Sequence, residues 1–263
     1  MSRINEAITN EMVIPEVQGL NWLFEGREDN RFAAGVIMLG ETALEGFEGA
    51  KSAYMMLRGQ VYVTQTRMVS EERLVQTGPE AGSEIPDEDD VRSVHFGVFE
   101  NLGSVIRMVG SQRHIRKTVE DPRPLPIENF FPTAFCEPAK LGSFEVSRYI
   151  QRHEDVRLQD SLTFPLLRTA VLYALSHSDE PAYGVVEEGL ERKLRDRASV
   201  PLRRIAEPMM VPDYAADNLG IVIDLHEMAK RYGISQEVIA AAKEREQSFN
   251  YFGKTPAPNT TAA

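Results

Sequence analysis

The chain has 263 residues, 42% hydrophobic and 26% charged, enough to bury the core of one good-sized domain with extensions and too few for two full ones. A net charge of −11 opposes binding to nucleic acid, and a single cysteine, Cys136, excludes an internal disulfide framework and any Cys-rich zinc site. No apolar run approaches the roughly 18 residues that span a bilayer, and the histidines lack ligand spacing, so we expect a cytoplasmic protein with no transmembrane segment and no metal site.

Residues 1 to 40 mix polar residues with short apolar pieces and read as an N-terminal extension. From Thr42 the apolar residues Leu44, Phe47, Ala50, Tyr54, Leu57 and Val61 recur at spacings of three and four, which predicts an amphipathic helix running toward Arg58. Gly78 to Asp90 combines turn formers with a run of carboxylates from Glu80 onward, and reads as a solvated loop. The period then drops to two. Val94, Phe96 and Val98 alternate with Ser93, His95 and Gly97 as in a half-buried strand, and Asn101-Leu102-Gly103 turns the chain into a second strand, Ser104 to Val109. Pro122 to Pro138 reads as a loop pinned by Phe130, Phe131 and Phe135. Ser143 to Gln151 is again a strand, with Val146, Tyr149 and Ile150 supplying β-branched and aromatic residues.

The rhythm then becomes strand, helix, strand, helix. Leu166, Leu167, Ala170, Val171, Ala174 and Leu175 form a helical stripe ending near His177, with Pro165 expected in its first turn. Ala182 to Val186 is a buried strand, Leu190 and Leu194 mark a charged helix supported by a Glu191–Arg195 pair, and Val200 to Ala206 and Leu219 to Leu225 are the last strands, joined through Pro208, Pro212 and Asp213. Glu227 to Phe249 holds two helical patterns split by Gly233, and the tail beyond it is expected to be disordered. Those helices could form a helix-turn-helix, but the second offers only Lys243 and Arg245, each flanked by glutamate, so packing helices are expected instead. The order of elements describes an α+β, or mixed α/β, sheet. Its expected divisions are residues 1–40, 41–226 and 227–263.

The informative residues are charges inside apolar strands. Arg107 lies between Ile106 and Met108, and Glu145 and Arg148 lie within Phe144 to Tyr149. A buried charge needs a partner, so a structural ion-pair network and a catalytic one are equally open readings. In a regular strand Glu145 and Arg148 point to opposite faces; a β-bulge between them would bring both to one side.

In order along the chain these residues resemble the acyl-homoserine-lactone (autoinducer) synthases and the related N-acyl amino acid synthases. The shared pattern is Arg58 and Tyr62 closing the first helix, Asp87 and Asp90 before the first long strand with Ser93 and His95 after them, Arg107 on the next strand, and then Glu145, Ser147, Arg148 and Tyr149. The match runs over roughly residues 45–226. It implies a GNAT-like acyltransferase fold: a central twisted mixed sheet flanked by helices, in which the strand of Glu145 splays from Ala182 to Val186 to admit a pantetheine arm and acyl chain. Two positions depart from the pattern. Met68 stands where the autoinducer synthases usually carry the tryptophan of their S-adenosylmethionine pocket, the one tryptophan here being Trp22. Arg152 to Asp160 contains no glycine for a pyrophosphate loop, although Arg152 and Arg157 could serve a phosphate.

What the resemblance implies is N-acylation, in which a fatty acyl thioester on an acyl carrier protein, or on CoA, is the donor substrate and the amine of an amino acid or similar small molecule is the acceptor. No bound cofactor is implied. Glu145 is then expected as base, with Arg148 and Arg107 as its catalytic companions, and Arg58, Tyr62, Asp87, Asp90 and Ser147 as substrate-binding residues. The alternatives are an acyl-homoserine-lactone synthase using S-adenosylmethionine and a non-catalytic module that binds an acyl carrier or another protein.

Overall fold

The computed structural model describes residues 14–18, 20, 31–65, 69–135, 137–211 and 217–244. Trp22, Met68, Cys136, Pro212, Asp213 and the C-terminal tail, on which several expectations fell, lie outside the described residues.

Among the described residues, ten strands form one sheet. In chain order they are β1 (Glu16–Val17), β2 (Phe32–Leu39), β3 (Thr42–Ala43), β4 (Ser93–Asn101), β5 (Ile106–Arg116), β6 (Phe144–Gln151), β7 (Ala182–Glu187), β8 (Leu202–Arg204), β9 (Met209–Met210) and β10 (Asp217–Ile223). Their order across the sheet is β3-β2-β4-β5-β6-β7-β10-β8, with β1 added to β5 and β9 to β10. Every pair is antiparallel except β6 and β7. That parallel pair is joined by helix α3 (Val156–His177), since parallel neighbours need a crossover.

Alternation along the central strands sends successive side chains to opposite layers. Val36, Phe96, Val98 and Val109 pack with Leu166, Ala170 and Val171 of α3, while Ile37, Phe99 and Met108 pack with Tyr54 and Leu57 of helix α1 (Glu48–Arg58). A third cluster, Ile115, Leu125 and Ile127, lies under the short helix α2 (Pro126–Phe130). Helix α4 (Glu188–Asp196) follows β7 directly and carries the expected Arg195–Glu191 pair.

Several boundaries differ from expectation. Phe32–Leu39, read as part of an extension, is a strand of the sheet; its Ala-Ala-Gly-Val-Ile-Met-Leu run is covered on both faces and so shows no period of two. Helices α5 (Leu225–Arg231) and α6 (Gln236–Glu244) put Met228, Ala229 and Ile239 into the core that α3 covers, the packing role expected of them. Helix α3 begins about ten residues earlier than the stripe from Leu166 suggested, leaving Pro165 in its interior. The amphipathic pattern after Phe47 is α1 followed by a π-helical stretch, Gly59–Gln65.

Candidate functional site where two strands part

Strands β6 and β7 pair only at Phe144 with Ala182, Glu145 with Tyr183 and Val146 with Gly184, although both continue beyond those residues. One cause of the parting is on the other edge of β6. Ser111 pairs with Ile150 and Arg113 with Ser147, so the single residue Gln112 faces both Arg148 and Tyr149. This is a β-bulge, and Arg148 takes a left-handed backbone conformation, φ 51°, to make it. Between the separated strands a cavity of about 230 Å³ runs toward α3. Its walls are mostly apolar, with Val146, Leu167, Ala170, Val171, Val186 and Ile221 among them.

On the α1 side of the same bulge, three guanidinium groups meet three carboxylates. Arg58, fully buried, donates from Nε to Glu84 at 2.8 Å and from Nη1 to Asp90 at 2.8 Å. Arg113 bonds Asp87 at 2.5 Å and Asp90 at 2.8 Å, and its Nε donates to Ser147 Oγ at 2.9 Å. Arg148 bonds Glu84 at 2.8 Å and Asp87 at 3.3 Å, and its guanidinium lies 5.0 Å from the centre of the Tyr62 ring. Burial alone would raise the carboxyl pKa values, but the arginines outweigh it: Arg113 and Arg58 hold Asp90 well below the usual range, and Glu84 and Asp87 are also lowered. His95 stands behind Asp90, with Nδ1 at 2.9 Å from Tyr54 Oη, and burial pushes its pKa down to about 3 despite Asp90.

The close approach of the acidic segment requires Gly59. A β-carbon there would lie 2.1 Å from the Gly82 carbonyl oxygen and 2.9 Å from Glu84 N. Only a residue without one lets Glu84 N donate to Met55 O and its side chain reach Arg58. The acidic run read as a solvated loop thus keeps Glu84 and Asp90 buried, because three arginines converge on it.

Glu145 stands apart from this network. It is 3% exposed and accepts a hydrogen bond from Ile127 N at 2.7 Å. Burial raises its pKa to about 8, the Ile127 N–H opposing that only in part. Ser147, two residues on, shares its face of β6, and the bulge turns Arg148 to that face as well, the arrangement the sequence called for.

The expected convergence of Arg107 with Glu145 and Arg148 is corrected. Arg107 sits at the start of β5 and pairs with exposed Glu154 at 3.1 Å. Arg113, six residues and about 20 Å further along the strand, occupies the position beside Asp87 and Asp90. Of the other expected residues, Arg58 and Asp90 are sealed in the network, Asp87 keeps partial exposure, and Tyr62, Ser147 and Arg148 line the cavity. Tyr62 Oη donates to Tyr149 O at 2.9 Å, which holds the far side of the bulge. Sequence reasoning missed Glu84 and Arg113. The signal for Arg113 was a charge in alternation with Ser111 and Ile115, readable once the strand is carried past Val109.

No family model and no curated protein matches this chain. Solved structures do. A CoA-dependent acyl-homoserine lactone synthase, BjaI, solved with MTA, superposes with a TM-score of 0.54 at 17% identity, over 80% of this chain and 99% of that one. The AHL synthase LasI gives 0.52 at 19% identity over 74% and 89%. FeeM, an N-acyl amino acid synthase from uncultured soil microbes, gives 0.50 at 13% identity over 76% and 94%. These likenesses show the fold: the chain has the GNAT-like fold that its motif order implied, with the splayed strand pair in place.

Proposed function

We propose that the protein is an N-acyltransferase that moves a fatty acyl group from a thioester to the amine of an amino acid or a similar small molecule. One observation carries the reading: an apolar cavity opens between β6 and β7 at the point where Glu145, buried and with its pKa raised to about 8, stands beside the gap. The thioester carbonyl lies at the parting, the acyl chain fills the cavity, and backbone N–H groups along the gap polarise the carbonyl. The amine nitrogen attacks the carbonyl carbon, its proton passes to ionised Glu145 directly or through water, and the C–S bond breaks to give an amide and a thiolate, which takes that proton from Glu145 and leaves as the thiol. A base whose pKa lies near neutrality suits that proton transfer. The ion-paired cluster holds Arg148 and Asp87, its two members that reach solvent, at the mouth where the acceptor enters.

The donor we infer is an acyl carrier protein thioester, with acyl-CoA as the other carrier of the same arm; BjaI is described as CoA-dependent. The setting we infer is cytoplasmic, and no helix among the described residues is long and apolar enough to cross a membrane. The test is incubation with long-chain acyl carrier protein or acyl-CoA and pooled amino acids, with N-acyl products read by mass spectrometry. Products are expected from amino acids. Formation only with S-adenosylmethionine as acceptor would identify the homoserine-lactone reaction instead, and tight carrier binding without any product would identify a binding module.

A further inference from the structure

Among the polar residues in the cavity wall, two are neighbours on one face of β5. Gln112 and His114 are alternate residues of β5, each 1% exposed, and both line the cavity. Gln112 Nε2 lies 2.5 Å from His114 Nε2, and the imidazole is wedged against Phe96 at 4.8 Å and Phe144 at 5.7 Å between ring centres. Gln112 Oε1 and His114 Nδ1 are buried with no hydrogen-bond partner. Burial lowers the His114 pKa to about 3, so the ring is neutral and has one N–H and one bare nitrogen. With the Gln112 amide donating to Nε2, the ring proton sits on Nδ1, leaving a free donor there, the second N–H of the amide, and a free acceptor at Oε1. Rotating the amide and changing the tautomer exchanges the two roles and leaves the same inventory. In either arrangement two N–H donors and one acceptor of the pair are left without partners.

A methylene supplies neither, a ketone supplies only an acceptor, and a hydroxyl supplies both. Buried polar groups are costly to leave unpaired, and a site built around them rejects ligands that cannot pair them. The pair also lies close to the reacting end of the cavity. His114 registers with Val146, the last residue of β6 to pair with β7, and Gln112 faces the bulge. We infer that the cavity is built for an acyl chain bearing a hydroxyl within a few carbons of the thioester, read by Gln112 and His114. This rests on the acyl-transfer reading and names the class of donor.

The probes are 3-hydroxydecanoyl, 3-oxodecanoyl and decanoyl thioesters on the same carrier, compared with one pooled set of amine acceptors. The hydroxyacyl donor is expected to exceed the decanoyl donor in kcat/KM by at least about tenfold, with the oxo donor between them. In Gln112→Leu the hydroxyl-to-decanoyl ratio is expected to fall toward one. The wild-type ratio needs no variant to fold. A second readout is the thermal shift produced by the corresponding S-acyl pantetheines, larger for the hydroxyacyl form. Equal efficiency for hydroxyacyl and decanoyl donors overturns the inference and leaves acyl transfer standing. No product and no thermal shift from any of the three overturns acyl transfer itself, and the inference with it.

Discussion

Glu145 and Arg107 were set side by side by their position in apolar strands, and the structure gives them opposite circumstances. Glu145 is enclosed, and burial holds its proton on up to about pH 8. A base must give that proton up before it can accept another, so kcat/KM is expected to rise with pH and to bend over near 8. The amine's own ionisation lies higher and continues the rise beyond that bend. Glu145→Gln, which keeps the shape of the protonated acid and its bond from Ile127 N, is expected to fold normally, lose about 10²- to 10⁴-fold in kcat/KM and lose the bend. A pH series of initial rates on both proteins checks this; a bend that survives in the variant assigns it to another group. Arg58 offers a contrast in stability. Arg58→Met leaves Glu84 and Asp90 buried without one of their partners, an expected loss of about 3–5 kcal/mol in urea unfolding. Arg107→Ala removes a solvent-exposed pair with Glu154 and is expected to cost less than about 1 kcal/mol.

At the scale of elements, the site depends on three irregularities: the bulge at Arg148, the parting of β6 from β7, and the contact of the acidic segment with the end of α1. The third can be tested at Gly59. Gly59→Ala places a methyl where the Gly82 carbonyl oxygen now lies, so the segment must move away from α1. The expected loss is about 1–3 kcal/mol from overpacking, with activity falling further than stability because Glu84 no longer positions Arg148. Denaturation midpoints and turnover measured together check it, and full turnover in the variant would show that the network does not place Arg148. Legibility in the sequence divides along similar lines. The strand from Val94 to Val98 announced itself by alternation, and the bulge was readable because Glu145 and Arg148 could not otherwise share a face. Arg113 was readable only by carrying the strand past Val109, and there Ser-Gln-Arg-His-Ile looks like the polar end of a strand; it becomes strand interior because α1, α3 and the acidic segment cover it from both sides. Glu84 was hidden for the converse reason. A run of carboxylates carries no local mark of which member meets a guanidinium from another element, and the partner that buries it lies 26 residues earlier.

Across the whole molecule, the buried titratable groups oppose one another, and their balance sets where the fold is most stable. His95 and His114 are held neutral down to about pH 3, whereas in the unfolded chain they take up protons near 6.5. Between those values the unfolded state binds more protons, so stability falls as pH drops. Glu84, Asp87 and Asp90, all lowered in the folded protein, add to that fall once pH passes below the ordinary carboxylate range. Glu145 acts in the other direction. Its raised pKa means the folded state keeps a proton that the unfolded state releases near pH 4.5, so from there to about pH 8 its contribution declines as pH rises. From 4.5 to 6.5 two histidines outweigh one glutamate and stability climbs; from 6.5 to 8 Glu145 is left alone and stability descends, by up to about 1.4 kcal/mol per pH unit. The expected profile is a maximum near pH 6.5, steep on the acid side and gentler on the alkaline side. Glu145→Gln removes the alkaline descent, leaving a plateau above 6.5, and steepens the climb between 4.5 and 6.5, where only the histidines then act. Urea midpoints from pH 4 to 9 for both proteins measure the two limbs separately, and a wild-type protein equally stable at pH 6.5 and 8 would mean that the Glu145 carboxyl is solvated and cannot be the tuned base at the parting of β6 and β7.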